Sequence, residues 1–573
     1  MKKVWFITLL TISITHILNA QSIDTLTIGQ YNNCNFKTIT AAVDFINDNT
    51  IQNKTILLLT KDYNPYDSIT PETFPIVLKN LIDDDNKSLI ITPDSNVEIT
   101  FTDSTDNVFT IEGIVELRGK NRIHIISNCN STNSSAITIN DSPYTNITID
   151  SCNIYGGTNS DTTFGIFGNG LGQKITANSY ITITNNSISR ANVGISLNIE
   201  STNDSYYSTT IDNNDIGDVR DDYMINRIGI ESSSTDGSKD KARISNNNIF
   251  SIIGNHSNIS GINISGMKHI ELYNNLILDI VNESSIENDF AKATGLKITS
   301  VDTTVCYNNM ISHIAGQETY GIKLTNRESS ISEFYYNSVY LCEDNSNINF
   351  GDDLTTCFFC DNVSLGRTFL KNNILQNSFG DIYGQTPTTS SCLMLKFTET
   401  EPFEWINNNF FSNHNIYYIN DLSNGYTSKC IERNSDVCQD FNLGEWNEIN
   451  NDTTCVDTYP GFTSTSLLKI EESNAIGIPI DGITSDFFGT ARNNHRPDAG
   501  ACEIPHETGS FDFEDEIDFT AYYSEGYIKI SSDTHLSGDI YIFDMSGRAI
   551  TSAKIDGKQL DIKVNDKKGI YVV

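Results

Sequence analysis

Positive charge is what this chain has least of for its size. Its 573 residues carry 37 Lys and Arg against 73 Asp and Glu, a formal net charge of −36. Such a balance keeps a protein in solution and repels polyanions, which argues against direct binding to DNA, RNA or an anionic bilayer. An acidic polysaccharide would have to be approached through a bridging cation. Long apolar runs are missing too. Beyond the N-terminus no segment offers about 18 uninterrupted apolar residues, so no membrane insertion is expected. Histidine is scarce, at nine residues, and scattered. The sequence has no zinc-ligand spacing, no phosphate-cradling Gly loop and no G-x-S-x-G elbow. The commonest motif-borne chemistries are thereby excluded.

Lys2 and Lys3, the apolar stretch Val4 to Ile17, and Asn19-Ala20 before Gln21 have the layout of a secretory signal peptide over residues 1–20. The expected product is a soluble monomer, secreted or held at the cell surface. Twelve Cys permit disulfides in that setting without fixing their pairing. Eight of them lie between Cys342 and Cys502, as expected of stapled loops where regular coils end. Cys357-Phe-Phe-Cys360 has redox-motif spacing, but no thioredoxin-like βαβ pattern surrounds it, so a structural or free-thiol role is expected.

What is present is a repeat. The stretch TVCYNNMISHI, Thr304 to Ile314, alternates apolar and polar residues, reaches two Asn and resumes with an apolar residue. The same shape returns as ITITNNSIS, TTIDNNDIG, ARISNNNIF, IELYNNLIL, EFYYNSVYL and TFLKNNILQ. Aligned on the first residue of each pair or its equivalent, the corners are Ser151, Asn185, Asn213, Asn246, Asn274, Asn308, Asn337, Asn372 and Asn408. Most periods hold a second strand opened by Gly, from Gly165-Ile166 through Gly295-Leu296 to Gly321-Ile322. Two anchored strands per period, with loops that absorb insertions, predict parallel coils hydrogen-bonded about 4.8 Å apart. Asn suits the corner because it tolerates left-handed backbone better than any residue but Gly, and its amides can stack along the axis. Val305 and Ile311 are expected to pack the interior. A leucine-rich repeat is excluded by the longer period and the Ile-dominated slots, and a propeller by too few strands per period.

Residues 21–87 read as an N-terminal cap with the first strands. Ile39, Val43 and Ile46 fall on one helical face with Thr38 as N-cap, and the strand Thr55 to Thr60 follows. Such a helix would close the open end of a solenoid core. Residues 88–503 are expected to form the parallel β-helix, less regular toward its C-terminal end, and 504–518 an acidic linker. Phe334, Tyr335, Tyr336 and Tyr340, and again Phe403, Trp405, Phe410 and Phe411, are aromatic clusters expected mainly in the core.

The Gly-Ile and Asn-Asn-x-Ile coils resemble the right-handed parallel β-helix family typified by pectate lyases. FKTITAAVDFI resembles the start of pectin-esterase-type helices. Asp486-Phe487-Phe488-Gly489-Thr490-Ala491-Arg492 followed by Asp498-Ala499-Gly500-Ala501-Cys502-Glu503 resembles the closing coil of exported β-helix proteins of Bacteroidetes type, implying a last rung with an Arg–carboxylate pair. The tail, 519–573, with YIKI, DIYIFD, Gly547-Arg548 and GIYVV, resembles the C-terminal sorting domain of type IX secretion substrates, a small β-sandwich. That resemblance implies the type IX secretion machinery as a partner. The family continues past G-I-Y-V-V, so it also implies that this sorting domain is truncated.

In a solenoid, residues at equal offsets from the corner form columns. Five positions past the corner stand Gly156, Arg190, Asp218, Ser251, Asp279, His313, Cys342 and Asn377, between inward offsets such as Ile277 and Ile280. Arg190 beside Asp218, and Asp279 beside His313, are the candidate catalytic pairs for acid–base work on a glycan. A Ca²⁺-assisted lyase would need clustered carboxylates near an Arg, and the loop Asp215, Asp218, Arg220, Asp221 and Asp222 is where they crowd. Asp215, Asp218, Asp221 and Asp222 are therefore the candidate Ca²⁺ ligands. Three functions follow: an exported protein that engages polysaccharide, a polysaccharide lyase or glycoside hydrolase of the same fold, or a structural adhesin for protein partners.

Overall fold

The computed structural model describes residues 24–49, 54–80, 87–94, 97–105, 107–129, 131–157, 162–175, 178–200, 206–220, 223–235, 240–284, 291–342, 354–361, 366–378, 389–397, 403–406, 408–412, 415–421, 438–441, 454–456, 458–464, 466–470, 475–504, 519–524, 527–544, 549–563 and 571–572. Two compact units divide at Ile504 and Pro505. The first is an all-β parallel β-helix of about ten turns.

A regular coil contains three strands, because the Asn pair splits what reads as one strand into two. In the coil of TVCYNNMISHI the approach strand is Thr303–Tyr307, the exit strand Met310–Ala315 and the return strand Glu318–Thr325. Each pairs in parallel with its counterparts in the neighbouring coils, making three faces around one core. Alternation sends every second side chain inward. Ile183, Ile211, Ile244, Leu272, Cys306, Phe334 and Leu370 stack on the approach face. Ile188, Ile216, Ile249, Ile277, Ile311, Val339 and Leu375 do so on the exit face. All are fully or almost fully buried. Ile311 thus packs the interior as expected, but Val305 does not. It stands outside between Glu271 and Glu333, and Cys306 takes the inner place.

The two Asn of a pair have separate jobs. The first is the left-handed corner: φ is 54° to 58° at Asn185, Asn213, Asn246, Asn274, Asn308 and Asn372. The second points inward and is buried throughout, at Asn186, Asn214, Asn247, Asn275, Asn309, Asn337, Asn373 and Asn408. Each Nδ2 donates to the next Oδ1 at 2.9–3.0 Å, an unbroken run from Asn186 to Asn408. Each Oδ1 also accepts the backbone N–H one coil earlier, beginning with Cys152 N at 2.9 Å. Each Nδ2 reaches a backbone carbonyl as well, for example Asn309 to Leu272 O at 2.9 Å. A buried amide is tolerated only when satisfied, and here every one is. The alignment on Asn is therefore one residue off in two coils. Asn337 and Asn408 belong to the inner ladder, and Tyr336, φ 54°, is the corner before Asn337.

The Gly of the return strand is set by close packing rather than by a turn. A Cβ at Gly295 would lie 2.5 Å from Ile311 Cγ2 and 2.7 Å from Gly321 O. Gly295→Ala should cost about 2 kcal/mol by overpacking, read as a lower denaturant midpoint with the far-UV spectrum unchanged.

The helix Ile39–Asn49 buries Ile39, Ala42, Val43 and Ile46, and Thr38 Oγ1 accepts Ala41 N–H at 3.1 Å, the expected N-cap. Glu72, distant in sequence, accepts the N–H groups of Ile39 and Thr40 and the hydroxyl of Tyr63. It satisfies helix-end donors that the local sequence leaves open.

The second unit is a small antiparallel sheet of Phe519–Ser524, Tyr527–Asp544, Ala549–Lys563 and Tyr571–Val572. Ile528, Ile530, Ile542, Ile555 and Ile562 form its core. The signal segment 1–20, the linker 505–518, Gly547-Arg548 and Gly569-Ile570 lie outside the described residues, as do the side chains of Phe403, Trp405, Phe410 and Phe411. No helix among the described residues is long and apolar enough to cross a membrane.

Candidate functional site

The outer side of the exit face changes character along the axis. One column of successive register partners runs Thr100, His124, Asn153, Ser187, Asp215 and Asn248, then Leu276, Met310, Ser338 and Ile374. The polar half is exposed or half-buried. The apolar half is covered by a strap from the C-terminal end of this unit. Leu468, Ile470, Ala475, Ala499, Ala501 and Cys502 pack on Met310 and Ile374, with Leu276 and Tyr340 at the edge. The strap carries the D-x-x-G-x-x-R and D-x-G-A-x-E runs, and it lies along the coils instead of adding a rung. Asn308 Nδ2 donates to Ser485 O at 2.8 Å, and Ala501 N–H donates to Ser338 Oγ at 2.9 Å. Asn372 clasps the peptide of Ile478 with two hydrogen bonds, at 2.7 and 3.0 Å. The expected Arg–carboxylate pair exists inside it: Arg492 meets Glu503 at 3.3 Å. Arg492 also donates to Asp498 O, Gly500 O and Asn308 Oδ1, and lies 3.8 Å over the Tyr336 ring. Burial lowers the Arg492 basicity and raises the Glu503 acid range.

On the uncovered half lies an open groove of about 260 Å³, lined by Glu98, Thr100, His124, Ile126, Tyr155, Arg190, Arg220 and Tyr223. Five successive stretches of chain build it. Ile126 and Tyr155 are register neighbours, as are Thr100 and His124. Tyr155 and Tyr223 meet edge to face at 6.0 Å, and the Arg220 guanidinium sits 4.1 Å from the Tyr223 ring centre. Asp218 holds Arg220 there, its oxygens 3.0 and 3.1 Å from Nε. That hydrogen bond keeps the Asp218 carboxyl below its ordinary acid range. Two backbone bonds fix the loop: Tyr223 N–H to Arg220 O at 2.8 Å, and Arg190 N–H to Tyr223 O at 2.7 Å.

Arg190 is a left-handed residue, φ 54°, and so are Ser251, Asp279 and His313 at φ 52–57°. Four positions of the column five residues past the Asn corner thus form a second row of corners. Arg190 does not pair with Asp218. Its guanidinium reaches back to Gly156 O at 3.0 Å, Ser127 O at 2.7 Å and Asn128 Oδ1 at 3.0 Å, and burial lowers its basicity. Asp279 and His313 do meet, Oδ1 to Nδ1 at 3.5 Å, on coils beyond the groove. Of the candidate Ca²⁺ ligands, Asp218 is engaged by Arg220, and Asp215 accepts from Asn248 Nδ2 at 2.8 Å. Asp221 and Asp222 lie outside the described residues, and among those described no three His, Cys, Asp or Glu converge on one point.

Sequence reasoning found Arg190, Asp218 and Arg220 but missed Glu98, His124, Tyr155 and Tyr223. Of these, Glu98 and His124 come from early coils with no repeat, where no column can be drawn. Fold and groove together define a parallel β-helix with a lateral groove on one uncovered face. The chain matches no family model and no curated protein in sequence.

Proposed function

We propose that the protein is exported and holds a polysaccharide along the uncovered half of the exit face, with the groove as its anchoring subsite. The observation that carries this is the Tyr155–Tyr223–Arg220 cluster, with Asp218 behind it, at one side of a polar column. Ring faces take the apolar side of a sugar, while Glu98 accepts hydrogen bonds from its hydroxyls and His124 and Arg220 donate to its hydroxyl or carboxylate oxygens. From the groove the column runs on through Asn153, Ser187, Asp215 and Asn248, one polar side chain per rung, a track suited to an extended chain rather than a single small molecule. The signal-peptide layout and the sorting-domain resemblance support export.

The test is a panel of neutral and uronate glycans, screened by calorimetry with and without added Ca²⁺ and read for released products. Binding is expected to weaken at least tenfold, roughly 1.4 kcal/mol, in Tyr223→Ala and in Arg220→Ala at unchanged melting temperature. A panel without any binder, or full affinity in both variants, would sink the reading. Turnover that disappears in His313→Ala would favour a lyase or hydrolase with Asp279 and His313, in contact at 3.5 Å, as its acid–base pair.

A further inference from the structure

The glycine column of the return face gives way to two cysteines. Register carries Gly261, Gly295 and Gly321 forward to Cys357 and then to Cys392. Tyr320 and Ile322 pair with Thr356 and Phe358, which in turn pair with Ser391 and Leu393. Upstream the slot is closed to side chains: a Cβ at Gly321 would lie 2.4 Å from Val339 Cγ1 and 2.6 Å from Cys357 O. In the next two coils it admits one thiol each. Both cysteines are 0% exposed, and their side chains are within hydrogen-bond reach of each other. Cys392 Sγ also donates to Leu375 O at 3.2 Å. In-register Cα atoms of adjacent rungs stand about 4.8 Å apart, inside the ~4.4–6.8 Å range that a disulfide spans. Cys360, the other half of the C-x-x-C spacing, is directed elsewhere. Its register partners are Leu324 and Leu395.

We infer that Cys357 and Cys392 form an inter-coil disulfide, a covalent staple between the two positions that follow the glycines in this column. The oxidant is a disulfide compound, small molecule or protein, acting by thiol–disulfide exchange. One cysteine thiolate attacks it to give a mixed disulfide and a departing thiol. The second thiolate displaces the remaining half, so one S–S bond forms, two S–H bonds are lost and the oxidant leaves as two thiols. Because both thiols are sealed in the finished core, exchange occurs before these coils close. Export as proposed above supplies the oxidising setting, but the geometry of the pair is independent of it.

The full chain is unfolded, refolded in a glutathione redox buffer, alkylated without reduction and mapped by mass spectrometry. The expected result is one cross-linked species joining the peptides of Cys357 and Cys392, about 2 Da lighter than the two thiol peptides together. Recovery of both as alkylated thiols, or either one bridged elsewhere, overturns the inference. In Cys357→Ala, Cys392 should be recovered alkylated; a Cys392 still bridged there also overturns it. A parallel map is made on protein collected outside cells that express the whole chain. The link in refolded protein but not in the cellular product would count against export and leave the staple standing.

Discussion

Asn309→Ala is expected to destabilise the β-helix by about 4 kcal/mol. Asn309 Oδ1 accepts Asn275 N–H at 3.0 Å and Asn275 Nδ2 at 2.9 Å, and its own Nδ2 donates to Leu272 O, Tyr307 O and Asn337 Oδ1. Alanine removes one acceptor and one donor in the middle of the ladder. It leaves backbone and amide groups on both neighbouring coils buried without replacement partners, each costing about 1–3 kcal/mol. The companion is Asn246→Ala at an exposed corner, φ 54°, where the loss is left-handed strain of about 1–2 kcal/mol. Denaturant midpoints of the two variants decide the matter. Equal losses would mean that the inner ladder contributes no more than a turn does.

Arg492→Met should release the strap. The guanidinium is 3% exposed, and the Glu503 carboxylate facing it is 1% exposed. Removing one member of such a pair strands the other, at a cost of about 3–5 kcal/mol. The loss is local, because the strap meets the coils through a few side chains rather than through a ladder. Hydrogen exchange is expected to accelerate across 475–504 and over the exit strands beneath it, while the coils carrying Asn186 to Asn275 keep their protection. Unchanged exchange at Ala499 and Ala501, which donate to Ala475 O and Ser338 Oγ, would show that Arg492 does not hold the strap.

The solenoid was legible because its repeat is written in residue types that backbone geometry demands. A left-handed corner and an inward amide leave few choices but Asn, so the pair recurs almost verbatim. The one-residue slip at Asn337 has a physical cause. Tyr336 can hold the corner because Arg492 covers its ring and Ile478 O accepts its hydroxyl, at 2.6 Å. Both partners lie more than 140 positions away in sequence, so nothing local announces the exception. Val305 was misplaced because an apolar residue on an outer face looks like a core residue unless its register partners, Glu271 and Glu333, are known. The groove was half-visible. Arg190 and the Asp218–Arg220 loop stand out as charge. Tyr155 and Tyr223, by contrast, read as ordinary strand and loop aromatics until parallel stacking sets them 6.0 Å apart. The strap motif was visible as a motif, but its docking on Asn308 spans 184 positions, beyond any periodicity argument.

The inner ladder also bears on how such a protein can grow or shrink. Every coil brings one amide that gives a hydrogen to the following coil and takes one from the preceding coil, all in the same direction from Asn186 to Asn408. A whole coil is therefore a self-balanced cassette. Duplicating one, or excising one between two Asn pairs, leaves no donor or acceptor of this ladder unmatched at the joint. Cysteines mark the two ends of the series, Cys152 giving its N–H to Asn186 and Cys455 Sγ lying 3.9 Å from Asn408 Nδ2. Between them the ladder itself sets no limit on the number of coils, while the strap anchored on Asn308, Tyr336 and Asn372 fixes which coils are covered.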